Sequence, residues 1–210
     1  MNEEFKFILE KVNDLYMRYG IKSITMDDVA SNLGISKKTL YKYVSDKDDL
    51  VGKAIDLQIE GIHSDVDCHC NSSLNAIEEL LLVSKIINQR IKKVNHGTVF
   101  DLKKYYPTHY ERLVNARREK MLSCITKNIA KGKLEGLYRN DLNDTIIAKL
   151  QLSRIEGIID NDFFSVEEFT SSKFFQEVFD YHIRGIANQK GIEFLESKLL
   201  NFDIDDITTI

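Results

Sequence analysis

The chain has 210 residues, of which 30% are charged, and a formal net charge of −4 at pH 7. This length allows one large domain or two modest ones. Because the only proline is Pro107, long stretches lack helix breakers, which favours an all-α protein. The longest purely apolar run, residues 80–83, is too short to cross a membrane. Three cysteines and the absence of a signal-peptide pattern in the first residues lead us to expect a cytoplasmic protein.

Two longer helices are predicted in the N-terminal part of the chain. Apolar residues recur at helical spacing over residues 5–19, and Gly20 ends that helix. The other helix should run from Asp46 to the late sixties. Ser45 and Asp48 form a capping-box pattern at its start.

Two short helices with clear start and stop signals are predicted between them. Thr25 is a favourable N-cap, and Asp28 three residues later completes a capping-box pattern. Gly34 follows the last apolar residue of that helix, where glycine adopts a left-handed conformation at little cost. Ser36 is the next N-cap and begins a helix predicted over residues 37–44. This arrangement is typical of a helix-turn-helix motif that places its second helix in the DNA major groove.

The second short helix divides its residues between packing and exposure. Leu40 and Val44 are spaced i, i+4 and should face inward, which leaves lysines and tyrosines to face outward. Between residues 36 and 47, four lysines stand against one aspartate. A net acidic protein can still bind DNA through such a basic face, because electrostatic steering and counterion release depend on local charge. The alternative is an ordinary solvated helix face. Lys47, in the first turn of its helix, is well placed for a phosphate that approaches the helix N-terminus.

Residues from the first helix to Leu50 resemble the N-terminal domain of the tetracycline-repressor (TetR/AcrR) family of bacterial transcription factors. The resemblance is specific because many positions match at fixed spacing. The matching residues are Tyr19-Gly20, Thr25-Met26-Asp27-Asp28-Val29-Ala30, Leu33-Gly34-Ile35-Ser36, Thr39-Leu40-Tyr41-Lys42-Tyr43 and Lys47-Asp48-Asp49-Leu50. Val44 departs from the phenylalanine of many members, which concerns packing and not DNA contacts.

The resemblance implies a helix-turn-helix DNA-binding domain of three helices at residues 1–48 and a larger helical effector-binding and dimerisation domain at residues 49–210. It also implies that Lys37 and Lys38 approach base edges or nearby phosphates, and that Tyr43 lies at the backbone or a base edge. The implied phosphate contacts are Thr25, Thr39, Tyr41 and Lys47. The full set of predicted DNA-binding residues is Thr25, Ser36, Lys37, Lys38, Thr39, Tyr41, Lys42, Tyr43 and Lys47.

Apolar patterns predict further helices beyond residue 70. Ser72-Ser73 should open one helix, which Gly97 breaks, and a short helix over residues 100–106 should stop at Pro107. A long helix follows and should end at Gly132 and Gly136.

Two strong apolar stripes close the chain, over residues 146–159 and 174–186. In the resembling family, the last two long helices pair with their twofold mates in a four-helix bundle, and we expect the same here; the alternative is the internal core of a monomer. A twofold dimer presents two recognition helices about one DNA turn apart, which predicts a palindromic operator. The predicted dimer-interface residues are Ile147, Leu150, Ile158, Phe175, Val178, Phe179, His182 and Ile186.

An aromatic group surrounds Pro107. It is interpreted either as packing of a short helix or as the wall of a pocket for a small-molecule effector, with Arg154 and Glu156 as polar anchors. The candidate pocket residues are Phe100, Tyr105, Tyr106, His109, Tyr110 and Arg154.

Metal-ligand residue types are concentrated in residues 63–70. In a helix, His63 and Asp67 would form an i, i+4 pair, but Cys68 and Cys70 would point to nearly opposite sides and no third ligand is evident. We therefore predict no metal site and no cofactor, and a metal or thiol sensor remains an alternative.

The sequence lacks a glycine-rich phosphate loop, His-Glu-x-x-His and Gly-x-Ser-x-Gly, so we do not expect an enzyme. The preferred interpretation is a homodimeric all-α transcriptional regulator, a repressor that a small-molecule effector releases from its operator. A DNA-binding protein without an effector is the other alternative.

Overall fold

The computed structural model describes residues 2–69, 73–92, 95–159, 164–169 and 171–199. These residues form helices without a strand, which confirms the all-α prediction. The helices are α1 (Glu3–Tyr19), α2 (Met26–Leu33), α3 (Lys37–Leu40), α4 (Lys47–His69), α5 (Ala76–Lys92), α6 (His96–Tyr105), α7 (Pro107–Leu134), α8 (Asp144–Ile159), α9 (Val166–Phe169), α10 (Ser172–Ile186) and α11 (Gln189–Leu199). None of these helices is long and apolar enough to span a lipid bilayer.

The chain forms two compact units. The first consists of residues 1–65 and 93–120, and the second of residues 66–92 and 121–210. The first unit therefore contains the predicted DNA-binding segment together with most of α4, all of α6 and the first half of α7.

The predicted helix ends of the first unit are confirmed at three positions. Thr25 accepts from the backbone N–H of Asp28, and the Asp28 carboxylate accepts from the backbone N–H of Thr25 at 2.8 Å, which is a complete capping box. Gly20 and Gly34 end α1 and α2 with φ of 82° and 65°. Such left-handed values disfavour any residue with a Cβ, so both glycines are required by the backbone.

The core of the first unit is built from buried residues of α1, α2, α3, α4, α6 and α7 and of the segments that connect the first four. They are Phe5, Ile8, Leu9, Val12, Leu15, Tyr16, Ile21, Val29, Ala30, Leu40, Val44, Leu50, Val51, Ala54, Ile55, Leu102 and Leu113. Helix α6 is fastened to the end of α1, because Thr98 Oγ1 donates to the Tyr16 carbonyl at 2.6 Å and Asn95 Nδ2 donates to the Met17 carbonyl at 2.7 Å.

The prediction of a helix over residues 37–44 was too long. Helix α3 ends at Leu40, and the backbone N–H groups of Lys42 and Tyr43 donate to the carbonyls of Thr39 and Leu40, three residues earlier. These i→i−3 bonds tighten the chain into a turn. The turn keeps Val44 buried beside Leu40, as the apolar spacing predicted.

Two predicted caps are displaced along the sequence. At the start of α4, Asp46 and not Ser45 accepts from the N–H of Asp49, while the N–H of Ser45 donates to the Asp49 carboxylate. At the start of α5, Asn75 accepts from the N–H of Glu78, so the helix begins after Asn75 and not at Ser72-Ser73. In both cases several neighbouring residues have side chains that can cap a helix, and the sequence alone does not show which of them is the N-cap.

The short helix before Pro107 begins earlier than predicted. Asn95 caps α6 by accepting from the N–H of Thr98, so Gly97 lies inside the first turn and does not separate two helices. Pro107 starts α7, where its missing N–H costs no intrahelical bond. Helices α9 and α11 were not predicted.

The second unit packs around Tyr138, whose side chain is fully buried. Its hydroxyl donates to Asn128 Oδ1 at 3.2 Å, and Asn128 Nδ2 donates to the Ala76 carbonyl at 2.8 Å. A Cβ at Gly132 would lie 2.1 Å from the Tyr138 ring, so this ring needs a glycine in α7. The other buried residues of this core are Ala76, Ile77, Leu80, Leu137, Phe179, Ile183, Ile186, Ala187 and Leu195.

His182 lies on α10 among these apolar residues. Its Nε2 is buried and has no hydrogen-bond partner within the described part of the chain. Burial, together with the nearby Arg154 guanidinium, lowers the pKa of His182 to about 4. His182 is therefore neutral at pH 7.

The neutral state of His182 predicts that stability falls in mild acid. The unfolded chain takes up this proton near pH 6.5, before the folded chain does, so the contribution is complete above pH 6.5 and is lost as the pH falls towards 4. Between pH 7 and pH 5 we expect a loss of about 2 kcal/mol in the free energy of unfolding, measured by urea titration.

His182→Gln should remove most of this pH dependence, and His96→Gln, which changes an exposed histidine of α6, should leave it unchanged. Equal pH dependence in the His182→Gln variant and the unaltered protein would contradict the account.

Candidate nucleic-acid interface

The recognition segment, residues 36–43, is held to the first unit from one side. Leu40 is 0% exposed and inserts into the core between the other helices. Ser36 accepts from the N–H of Thr39 at 3.0 Å, which satisfies a donor at the start of α3. With Leu40 directed inward, the other side chains of α3 are directed outward.

The structure exposes most of the predicted DNA-binding residues. Those exposed are Thr25, Ser36, Lys37, Lys38, Tyr41 and Lys42; those partly buried are Thr39, Tyr43 and Lys47. Exposed lysines and hydroxyls beside a helix N-terminus are suitable donors to phosphate oxygens and base edges.

Lys37 is paired with an acidic residue of α2. Its Nζ lies 2.5 Å from Asp27 Oδ2, and both side chains are largely exposed. The Asp27 carboxylate raises the pKa of Lys37, so the ammonium stays charged. An exposed ion pair of this kind contributes little free energy of stabilisation. Lys37 can therefore leave Asp27 for another acceptor with little loss of stability.

Lys47 and Tyr43 contact the protein as well as solvent. Lys47 Nζ donates to the carbonyl of Lys22 at 3.3 Å, and partial burial lowers its pKa. The Tyr43 ring stacks on Phe5 with 4.8 Å between centroids, and its pKa is raised by a hydrogen bond to Glu4. These contacts fix both side chains at the edge of the recognition segment.

Lys22 was not singled out from the sequence. It lies in the loop between α1 and α2, three residues before Thr25, and its carbonyl accepts from Lys47. A lone lysine in a loop carries little signal in a sequence. Only the folded loop places Lys22 beside Thr25 and Lys47, the two predicted phosphate contacts.

The candidate effector-pocket residues fall in both units. Phe100 and Tyr105 are exposed on α6, whereas Tyr106 and Tyr110 pack against the core of the first unit. Arg154 belongs to the second unit, where it donates to the carbonyl of Val178 at 3.0 Å. An effector pocket at these residues stays a prediction.

His109, also a candidate pocket residue, links α7 to α4 within the first unit. Its Nε2 lies 3.3 Å from Asp48 Oδ2, and its ring fills the space beside Gly52. Arg112 of α7 forms an ion pair with Asp56 of α4. The open cavity here, of about 370 Å³, is lined by Ser45, Asp46, Asp48, Asp49, Gly52, Lys53, Asp56, His109 and Arg112. This charged lining differs from the mostly apolar lining of small-molecule pockets.

The predicted dimer-interface residues differ in exposure. Leu150 is 61% exposed, but Phe179 and Ile186 are buried in the core of their own chain. Partly buried residues are Ile147, Phe175, Val178 and His182; the side chain of Ile158 lies outside the described residues. Ile146 on α8 and Tyr181 on α10 are exposed as well, so both helices carry apolar surface that one chain leaves uncovered.

The candidate metal-ligand cluster cannot be placed, because Cys70 and the side chains of residues 63–69 lie outside the described residues. Among the side chains that the structure describes, no three histidine, cysteine, aspartate or glutamate residues are grouped as a metal site requires.

Comparison with known proteins identifies the N-terminal domain. Residues 8–54 match the family described as bacterial regulatory proteins, tetR family. The uncharacterized HTH-type transcriptional regulator YvaF of Bacillus subtilis (strain 168) is 28% identical over 168 residues, which cover 79% of this chain and 86% of that protein.

Solved structures share the fold over most of the chain. A transcriptional regulator from Cytophaga hutchinsonii has a TM-score of 0.73 at 18% identity, covering 89% of this chain and all of its own. A TetR-family transcriptional regulator from Streptomyces coelicolor has a TM-score of 0.65 at 21% identity, covering 86% of this chain and 94% of its own. The matching residues include α2, α3 and the start of α4. Residues 8–54 therefore form a DNA-binding domain of the tetR family of bacterial regulatory proteins, and the chain shares its helical fold with solved transcriptional regulators.

Proposed function

We propose that the protein is a homodimeric repressor that binds a palindromic operator and leaves it when a small-molecule effector binds. In this proposal, residues 1–48 contact DNA and residues 49–210 dimerise and bind the effector. The observation that carries it is the exposed, capped recognition segment, which the buried Leu40 anchors to the first unit.

The proposed DNA contacts follow from the chemistry of the exposed side chains. Lys37 and Lys38, at the start of α3, are proposed to approach base edges, where a lysine donates to the oxygen and nitrogen of guanine. Thr25, Thr39, Tyr41 and the other predicted residues are proposed to donate to phosphates, which position the protein on the duplex. Repression needs only occupancy of the operator, so it is the simplest consequence of tight binding.

Dimerisation through α8 and α10 is supported by uncovered apolar surface. Ile146 and Leu150 lie one turn apart on α8 and are more than half exposed, and Tyr181 on α10 is 77% exposed. Large exposed apolar side chains that lie close together commonly mark an interface. A twofold pairing of these helices would give the two recognition segments that a palindrome requires.

Effector release is proposed to act through α4. This helix begins four residues after the recognition segment, and α7 holds it by the His109–Asp48 contact and the Arg112–Asp56 ion pair. Such an effector binds more tightly when the two recognition segments are spaced differently from the operator half-sites. The loss of operator affinity is then set by the ratio of its affinities for the two spacings.

The roles of Lys37 and Asp27 are tested by DNA binding. Duplexes enriched from a random pool by the unaltered protein serve as probes in fluorescence anisotropy. Lys37→Ala should weaken binding roughly 5- to 150-fold and relax the sequence preference at one position, if Lys37 contacts a guanine edge. Asp27→Asn should tighten binding by up to about fivefold, because the acceptor that competes with DNA for Lys37 is removed.

Lys47→Ala is the matched control, since a phosphate contact should weaken binding to enriched and random duplexes alike. Indistinguishable behaviour of Lys37→Ala and Lys47→Ala would refute the division of roles.

The dimer is tested by light scattering at micromolar concentration. We expect twice the chain mass of 24.3 kDa. Leu150→Glu should shift the protein towards monomer, because a carboxylate would be buried between the two copies. Leu134→Glu, which changes a leucine of α7 that is 90% exposed, should remain dimeric. A monomeric mass for the unaltered protein removes the proposal.

Repression is tested with a reporter gene whose promoter overlaps the enriched sequence. Expression of the unaltered protein should lower the reporter signal, because an occupied site blocks polymerase. Lys37→Ala, produced at the same level, should restore most of the signal. An increase of the signal with the unaltered protein would establish activation and contradict the proposed sign.

A further inference from the structure

Two lysine ammonium groups converge on one phenol at the edge of the first unit. Lys22 Nζ donates to the hydroxyl of Tyr105 at 3.0 Å and lies 4.8 Å from the centre of its ring. Lys104 Nζ lies 5.4 Å from the same ring and 5.3 Å from the ring of Phe100. The side chains that hold these two cations are therefore the phenol of Tyr105 and the ring of Phe100. We call Lys22, Tyr105 and Lys104 the phenol–lysine cluster.

The Asp101 carboxylate lies beside this cluster, and its negative charge helps to raise the pKa of Lys22 after the larger effect of the Tyr105 hydroxyl. Asp101 Oδ2 accepts from the backbone N–H of Lys22 at 2.8 Å, which fixes the loop between α1 and α2 on α6. The pKa of Tyr105 is lowered, first by its hydrogen bond with Lys22 and further by Lys104, as expected of a phenol in a positive field. Lys22 and Lys104 carry two positive charges against the one negative charge of Asp101, so the cluster keeps an excess of positive charge.

The cluster is continuous with the DNA-binding surface. The carbonyl of Lys22 accepts from Lys47 Nζ at 3.3 Å, and Lys47 is a proposed phosphate contact. Thr25, another proposed phosphate contact, is three residues further along the chain, a span of at most about 10 Å. Successive phosphates of one DNA strand are about 3.4 Å apart along the helix axis. One stretch of the DNA backbone can therefore pass within reach of Lys22, Thr25 and Lys47.

We propose that Lys22 and Lys104, positioned by Tyr105, contact backbone phosphates of the DNA beside the helix-turn-helix. Helix α6 lies outside residues 8–54, so this contact extends the surface beyond the segment that matches the family. It also assigns a role to the exposed rings of Phe100 and Tyr105, which hold ammonium groups in place. The inference depends on the proposed orientation of the recognition segment on DNA.

The salt dependence of DNA binding tests this contact. Affinity for the enriched duplex is measured by anisotropy between 50 and 200 mM salt. For the double variant Lys22→Ala/Lys104→Ala, the slope of log Kobs against log salt should fall by nearly two units, since each phosphate contact contributes about 0.9. Over this range the unaltered protein should then lose about tenfold more affinity than the double variant.

The matched control is Lys103→Ala/Lys127→Ala, which removes the same charge from exposed positions outside the cluster. Its slope should stay within a few tenths of that of the unaltered protein. Lys22→Arg/Lys104→Arg should retain the full slope, because the charges are kept. Tyr105→Phe should give an intermediate slope, because the Lys22 ammonium loses the oxygen that orients it while Lys104 keeps the ring.

DNA binding by the recognition segment and DNA contact by the phenol–lysine cluster would be contradicted by different results. If the unaltered protein binds DNA and Lys37→Ala weakens it, but the cluster variant has the same slope as the control, the phenol–lysine cluster does not contact DNA. If Lys37→Ala has no effect, the orientation of the recognition segment is wrong and this inference falls with it. Circular dichroism and light scattering on each variant separate these outcomes from a loss of folding.

Discussion

The burial of Leu40 is the contact on which the DNA-binding surface depends. Helix α3 is only four residues long and could not hold a conformation alone. Leu40, fully buried, and Val44, 3% exposed, anchor the end of this helix and the turn after it in a core shared with α1, α2 and α4. The Ser36 cap and the stacking of Tyr43 on Phe5 limit its rotation. The outward direction of the lysines is thus a consequence of two inward apolar side chains.

The lysines of this surface are held by weak acceptors from the protein itself. Lys37 has the exposed carboxylate of Asp27, Lys47 has the carbonyl of Lys22, and Lys22 has the phenol of Tyr105. Such contacts order long side chains before DNA arrives, which lowers the entropy lost on binding. None of them is a deeply buried ion pair, so a phosphate can replace each acceptor without leaving a charge unpaired in a dry environment.

Sequence patterns predicted the fold class and much of the first unit, because local chemistry determines them. Thr25, Asp28 and Gly34 act within a few residues, so their roles follow from spacing alone. The displaced caps at Asp46 and Asn75 show where local rules compete, since neighbouring residues offer equivalent side chains. The phenol–lysine cluster joins Lys22 to Tyr105, 83 positions further along the chain, and depends on how α6 packs against α1, which no local pattern contains.

A crystal structure of the protein with an enriched duplex tests the central claim most directly. It should show two copies with Lys37 and Lys38 in successive major grooves on one face of the DNA, and with Leu40 still buried. A complex in which residues 36–43 face away from the duplex, while other surfaces contact it, would contradict the account.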